Sequence, residues 1–210
     1  MPVTLPDFNY ELSLVPPGTR FLLGIDEVGR GPLAGPVTIG AFLLDLSNFD
    51  PNVFIKLGVR DSKLVSPAKR LKIQRSFVEL GFSFSVFSCP SPDIDRQGIG
   101  VAIKSLISQA LKHYCTSAQF CLIDGNYSLS HPKVRSVIKA DTSCFSVAAA
   151  SIVAKVDRDA QMDVYHLEYP NYGFAAHKGY GTKAHLQALS AYGPCPIHRR
   201  SFRPVRVLCS

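Results

Sequence analysis

Phe21-Leu22-Leu23-Gly24-Ile25-Asp26-Glu27-Val28 is apolar enough to be a central strand, yet two carboxylates stand side by side near its end and Gly29-Arg30-Gly31-Pro32 follows at once. Burying an ionised group costs several kcal/mol unless a partner replaces its solvation. Two readings fit this segment by itself. Either Asp26 and Glu27 serve a bound divalent cation, or one pairs with Arg30 or a distant lysine while the other faces solvent, since neighbouring strand residues point to opposite faces. The neighbours of such a strand can be read outward from it. Val37 to Leu44 reads as a second strand, joined to the first by a Gly/Pro-rich connection short enough for antiparallel pairing. Gly81 to Cys89 reads as a third. Between them Ser66-Pro67 supplies an N-cap and a first-turn proline, opening a basic helix through Leu80. Ile99, Ile103, Leu106, Ile107, Ala110, Leu111 and Tyr114 recur at helical spacing. Gln119 to Ile123 is a short apolar strand ending at Asp124-Gly125-Asn126, and Val134 to Lys139 is another ending near Asp141. A long helix is predicted from about Thr142 into the 160s, and a further one over Lys183 to Tyr192. Strand, turn and strand followed by alternating helices and strands predict an α/β fold, a mixed sheet antiparallel at its start and flanked by helices.

The length of 210 residues and the absence of a composition shift predict a single domain over residues 1–210. With 46% hydrophobic and 19% charged residues the chain is a packed globular protein. Its formal charge of +7 and pI near 9.2 suit a polyanionic partner. No apolar run approaches the roughly 18 residues of a membrane span, and Met1-Pro2-Val3-Thr4-Leu5-Pro6-Asp7 lacks a signal peptide's basic and apolar regions. Nucleic acid is therefore preferred over a membrane as partner. Cys89, Cys115, Cys121, Cys144, Cys195 and Cys209 contain no CxxC pair, and the histidines show no zinc-site spacing. Cys121 and Cys144 lie in apolar segments as small core residues, so the protein is read as intracellular and cytoplasmic.

Asp124 ends one predicted strand and Asp141 precedes the predicted long helix. Taken singly, Asp124-Gly125-Asn126 reads as a turn and Asp141 as an N-cap. With Asp26 and Glu27 they form a set of four acids at the ends of, or within, the core segments. An oxygen-only set suits Mg²⁺ or Mn²⁺, and two such ions roughly 3.5 to 4 Å apart can drive in-line phosphodiester hydrolysis. Carboxylates alone repel a phosphate, whereas bound metal reverses the local sign. Asp157, Asp159 and Asp163 read as a solvated helix face beside Arg158, and Asp93 and Asp95 as caps before the helix that starts near Ile99.

Gly24-Ile25-Asp26-Glu27-Val28-Gly29-Arg30-Gly31-Pro32-Leu33-Ala34-Gly35-Pro36-Val37 resembles the signature of bacterial ribonuclease HII, its Gly-Arg-Gly distinguishing it from ribonuclease HIII. The resemblance continues in order through Asp61-Ser62-Lys63, Leu122-Ile123-Asp124-Gly125, Lys139-Ala140-Asp141 and Ala148-Ala149-Ala150-Ser151-Ile152-Val153-Ala154-Lys155. It extends to His177-Lys178-Gly179-Tyr180-Gly181-Thr182 and Pro196-Ile197-His198-Arg199-Arg200-Ser201-Phe202, covering residues 20 to 205. Two departures are a glycine-rich Gln97-Gly98-Ile99-Gly100 and the lack of a second lysine after Lys63.

The resemblance implies a ribonuclease H-like fold with a C-terminal helical extension and a basic tail. It implies hydrolysis of RNA in RNA–DNA hybrids and cleavage at single ribonucleotides in duplex DNA, leaving 5′-phosphate and 3′-hydroxyl ends. Asp26, Glu27, Asp124 and Asp141 would be both catalytic and metal-binding, holding two ions of Mn²⁺ or Mg²⁺ when substrate is bound. The partners expected are hybrid and ribonucleotide-bearing DNA, with no membrane, for a monomer acting in replication and repair. Gly29, Arg30 and Gly31 would read the 2′-hydroxyl through their backbone, and a methyl at Gly29 would block that approach. As a plain sequence the same residues form a tight turn, without the GxGxxG spacing and following helix of a dinucleotide site. Tyr180 would stack on a sugar or base. Lys63, Lys178, Arg199, Arg200, Arg203 and Arg206 are candidate phosphate contacts. A junction resolvase of similar fold would share the acids without needing a 2′-hydroxyl reader, and a non-catalytic hybrid-binding protein would not need the acids.

Overall fold

A computed structural model of the chain describes residues 5–128 and 131–208; Cys209 and the start Met1-Pro2-Val3-Thr4 lie outside them. The elements run α1 (Phe8–Ser13), β1 (Phe21–Val28), β2 (Val37–Asp45), α2 (Pro51–Leu57), α3 (Pro67–Glu79), β3 (Ser83–Cys89), α4 (Ser91–Gln97) and α5 (Ile99–His113). They continue with β4 (Phe120–Asp124), β5 (Val134–Val137), α6 (Ala140–Ser143), α7 (Phe145–Glu168), α8 (Phe174–His177), α9 (Lys183–Tyr192) and α10 (Arg203–Arg206). The strands form one mixed sheet in the order β3-β2-β1-β4-β5, flanked by helices, with further helices at the C-terminal end. The chain divides into two compact units, one of Met1–Glu27, Ile39–Phe87 and Ile107–Val156, the other of Val28–Thr38, Ser88–Leu106 and Asp157–Ser210.

In the first unit β1 is the middle strand because it is apolar on both faces. Leu22, Leu23 and Ile25 are fully buried, as a strand covered on both sides requires. It pairs in parallel with β4, Leu22 opposite Phe120 and Ile25 opposite Ile123, and β4 pairs in parallel with β5, Asp124 opposite Val137. Two glycines let the backbone of α7 lie directly on the sheet. A Cβ at Gly24 would overlap the main chain of Ser146 and Val147, and one at Gly40 would overlap the carbonyl of Ala150. The alanines Ala148, Ala149 and Ala150 complete that close approach. Phe42 packs its ring edge-on against Phe54 of α2 and Phe77 of α3, centroids 5.9 and 4.7 Å away, geometries favoured by the aromatic quadrupole.

Several predicted boundaries move by a residue, β4 to Phe120–Asp124 among them, and three changes are larger or carry a cause. β3 starts at Ser83. β5 ends at Val137, and by Lys139 the chain is left-handed, with φ 58°. The single helix predicted from Thr142 is two helices, broken at Cys144, whose φ of −121° and ψ of 129° are extended. The cause lies far away in the sequence. Glu11 of α1 is fully buried and accepts the amides of Phe145 and Ser146 at 2.9 and 3.0 Å. A carboxylate on the first amides of α7 satisfies orphan donors and complements the helix dipole. Burial raises the Glu11 carboxyl above its usual range, and the bonds from Ser146 and Phe145 oppose that rise.

α2 and α4 were not anticipated, although Asp50-Pro51 caps α2 by the same cap-then-proline signal that marks α3. Among the described cysteines all five are free, and Cys115 is exposed while Cys121 and Cys144 are buried. Burial pushes the Cys144 thiol up to about 12. Among the described residues no helix is long and apolar enough to cross a membrane. The second unit has its own cores. Ala34, Met162, Tyr172, Phe174, Cys195 and Ile197 form one, and Leu33, Leu189 and Val205 another.

Candidate active site

The first unit carries all four predicted acids. β1 delivers Asp26 and Glu27, β4 ends in Asp124, and α6 carries Asp141. Asp26 is 5% exposed and Asp141 4%, and Glu27 and Asp124 are half-buried. Asp124 is more than a turn residue: its Oδ1 accepts the Ala140 amide at 2.6 Å, which ties the end of β4 to the start of α6. Asp141 lies inside that helix, and its N-cap is Lys139. Asp141 is therefore not the cap that its sequence position suggested. Asp26 accepts the amide of Glu27 at 2.8 Å and a hydrogen bond from Ser151 of α7, whose hydroxyl also bonds Ser62 at 2.8 Å.

The acids act on one another. Burial raises the Asp26 carboxyl well above the usual range, and the charges of Asp124, Glu27 and Asp141 raise it further, against the Ser151 bond. Asp141 is raised by burial and then by Asp124, with Lys63 opposing. Asp124 is raised by burial, against the Ala140 amide and Lys63. Carboxyls raised by burial and by a neighbouring acid are stabilised by a cation. Lys63 supplies one charge, its ammonium 3.5 Å from Asp141 Oδ2. Burial lowers the Lys63 pKa, but Asp141, Asp61 and Asp26 outweigh it and raise the ammonium above its ordinary value. Among the described residues no three His, Cys, Asp or Glu side chains are grouped so as to hold a metal ion as they stand. As a donor set the residues fit a hard divalent ion, being all oxygen and mutually repelling.

The second unit carries the other predicted residues, and there the main chain is what is held. Leu33 donates its amide to Gly179 O at 2.8 Å, Gly35 donates to Ile197 O at 2.9 Å, and Arg199 donates to Leu33 O at 2.8 Å. The loop after β1 thus lies beside the segment carrying Tyr180. Two fully buried arginines grip its carbonyls. Arg199 donates to Gly29 O at 2.6 Å, Arg30 O at 2.9 Å and Gly35 O at 3.0 Å. Arg158 donates to Pro36 O at 2.9 Å and Lys178 O at 3.0 Å. Burial, then the neighbouring Arg158, lowers the Arg199 pKa to about 9.

These contacts correct several readings. Arg199 is a loop clamp with no exposed surface for a phosphate, and Arg158 is not part of a solvated helix face. Asp163 pairs with the Lys178 ammonium, which also donates to Asp159 O at 3.3 Å. Lys178 is half-buried and its charge is already partnered within its unit. Asp95 accepts the amides of Arg200 and Ser201 at 2.8 and 2.9 Å instead of capping a helix, and Asp93 pairs with Arg96 inside α4. Gly29 adopts φ 86°, and a methyl there would overlap Arg158 Nε, so it would point into the clamp and not toward a ligand. Gly31 differs: a methyl on it meets no atom within 4 Å. Tyr180 is 44% exposed and so presents its ring to solvent. Arg200, Arg203 and Arg206 are exposed.

Sequence reading missed Ser62, Ser151, Arg158, Glu11 and the clamp role of Arg199. Ser62, Ser151 and Arg199 fall inside the recurring motifs, and that was the one signal available for them.

A family model described as Ribonuclease HII matches residues 23–205. The chain belongs to the ribonuclease HII family. It is 42% identical over 200 residues to the ribonuclease HII of Chlamydia caviae, covering 94% of this chain and 91% of that protein. Among solved structures it is similar to the ribonuclease H2 of Pyrococcus horikoshii, with TM-score 0.72 and 25% identity over 90% of this chain and 96% of that one. Its fold also matches Bst-RNase HIII in complex with Mn²⁺, at TM-score 0.68 and 18% identity, covering 91% of this chain and 70% of that one. The mixed sheet with C-terminal helices is accordingly ribonuclease H-like, and this ribonuclease HII is a metal-dependent endoribonuclease.

Proposed function

We propose that this ribonuclease HII hydrolyses the RNA strand of RNA–DNA hybrids and cuts at single ribonucleotides in duplex DNA, leaving 5′-phosphate and 3′-hydroxyl ends, in the removal of ribonucleotides from DNA. The observation that carries the reading is the gathering of buried Asp26 and Asp141 with half-buried Asp124 at the ends of β1 and β4 and in α6, close enough that the Asp124 charge raises both of the other carboxyls, an arrangement that costs stability unless a cation is there to use it. Asp26, Glu27, Asp124 and Asp141 would hold two divalent ions, Mg²⁺ or Mn²⁺. When bound, such ions supply a water that is nucleophilic at neutral pH and positive charge at the scissile phosphate.

The chain's own residues do the positioning. Ser151 and the Glu27 amide orient Asp26, and the Ala140 amide orients Asp124. Lys63, its ammonium 3.5 Å from Asp141 Oδ2, opposes the rise at that carboxyl. Reading of the ribose falls to the Gly29-Arg30-Gly31 loop and Tyr180. With its carbonyls clamped by Arg199, the loop is rigid before substrate arrives. Gly31 leaves room for a ligand at its backbone, where a 2′-hydroxyl can be read as donor and acceptor. The exposed Tyr180 ring offers a surface for a sugar or base. A junction resolvase would have no use for such a loop.

The test is cleavage of a labelled DNA duplex bearing one ribonucleotide, beside an all-DNA duplex of the same sequence, with Mg²⁺, Mn²⁺ or EDTA. Metal-dependent cleavage of the first alone is expected. Cleavage in EDTA, or equal cleavage of both duplexes, overturns the reading.

A further inference from the structure

Beneath Tyr180 lie two buried histidines that the hydrolysis does not use. His185 is fully buried and His198 is 1% exposed. Their hydrogen bonds form a chain with only one possible direction. The peptide amide of Cys195 donates to His198 Nδ1 at 3.0 Å, so the proton of that neutral ring sits on Nε2. His198 Nε2 is 3.0 Å from His185 Nε2. His198 must donate there and His185 must accept, which places the His185 proton on Nδ1. That nitrogen is 2.9 Å from Tyr180 O, to which it donates. Burial and the neighbouring imidazole hold the His198 pKa down to about 4, and burial lowers that of His185, in keeping with two neutral rings.

A third imidazole holds the other side of the same peptide segment. His177 stacks on His185 with centroids 4.4 Å apart, and its Nδ1 accepts the Gly179 amide at 3.3 Å. Its Nε2 lies 2.7 Å from Tyr172 O. The Tyr180 carbonyl, which also accepts the Thr182 amide at 2.8 Å, and the Gly179 amide before it are thus each bonded by an imidazole, while Tyr180 itself stays exposed. The other polar and aromatic groups against His198 are the Cys195 thiol at 3.1 Å and the Tyr172 and Phe174 rings. None of them can replace the His185 donor at Tyr180 O.

We propose that His185 and His198 are positioning residues for Tyr180, aligning its backbone so that the ring meets the ribonucleotide junction without a reordering cost. The proposal rests on the assignment of Tyr180 as a substrate contact. It is tested by a double-mutant cycle on kcat/KM for the one-ribonucleotide duplex, with His185→Leu and His185→Asn each made in the Tyr180 and Tyr180→Ala proteins. A lost hydrogen bond is worth about 0.5 to 1.5 kcal/mol, so His185→Leu is expected to lower kcat/KM by about 2- to 13-fold. His185→Asn, whose amide nitrogen can take the place of Nδ1, should recover most of it. In the Tyr180→Ala protein neither substitution should matter further. If His185→Leu does not fold, His198→Asn serves instead, because it keeps an acceptor for Cys195 and removes the donor to His185. An equal fold-loss in both backgrounds overturns the positioning role while leaving Tyr180 as a contact. Wild-type cleavage by Tyr180→Ala itself overturns the assignment of Tyr180, a different result.

Discussion

In the unit that carries Asp26, Glu27, Asp124 and Asp141, neighbouring acids raise the Asp26 and Asp141 carboxyls and side chains are what matter. In the unit that carries Gly29–Gly31 and Tyr180, two arginines and His185 are buried to hold main-chain carbonyls. The first arrangement stores repulsion that a ligand ion can relieve. The second removes freedom from a loop before any ligand arrives, so less entropy is lost on binding. On the proposed function, cutting and reading ask opposite things of the same chain: side chains that repel one another for the one, a main chain held by buried donors for the other.

The largest effect should come from the unsatisfied site. Asp124→Asn keeps an Oδ1 acceptor for the Ala140 amide, so the fold is expected to survive, while turnover should fall by about 100-fold or more with the loss of a charge on which metal affinity depends. Single-turnover cleavage across a metal titration measures this. Near-normal turnover in a folded protein would make Asp124 a turn residue only.

The satisfied site should respond in stability. Arg199→Ala removes the guanidinium from the carbonyls of Gly29 and Arg30 and leaves Gly35 O with its bond from Ser91, and about 3 kcal/mol or more of unfolding free energy should be lost. Its exposed neighbour is the contrast. Arg200→Ala should stay within about 0.5 kcal/mol of the parent and, if Arg200 touches phosphate, reduce the salt slope of duplex binding by roughly 0.7 to 0.9. Urea unfolding and salt-dependent binding on the two variants separate the roles. A stable Arg199→Ala protein with a changed slope would restore the surface reading of Arg199.

The same contrast explains what the sequence could disclose. β1, β2, α3 and α9 were legible because periodicity and caps are local signals. The four acids were legible because charge inside an apolar strand or at its end demands a reason. Glu11 was not: the amides it caps lie 134 and 135 positions away, and nothing near Phe8–Ser13 points to them. Arg199 looked like part of a basic tail because its partners are carbonyls 164 to 170 positions back, and a carbonyl has no identity in a sequence. The break at Cys144 was hidden for the same reason, since the alanine-rich run beyond it favours helix throughout. Gly29 and Gly31 are the same letter two positions apart, yet one faces Arg158 and the other open space.

That difference gives the most direct test of separate cutting and reading. The quantity is the ratio of affinities for a one-ribonucleotide duplex and an all-DNA duplex, at fixed salt and Mg²⁺, in the Asp124→Asn protein with and without Gly31→Ala. A methyl on Gly31 displaces nothing in the fold and should only obstruct a ligand at the loop. Asp124→Asn alone is expected to keep the preference for the ribonucleotide, and adding Gly31→Ala to cut it by about 3- to 10-fold, the worth of one hydrogen bond to the 2′-hydroxyl. An unchanged preference after Gly31→Ala, or one already lost in Asp124→Asn, would contradict the division of the two tasks.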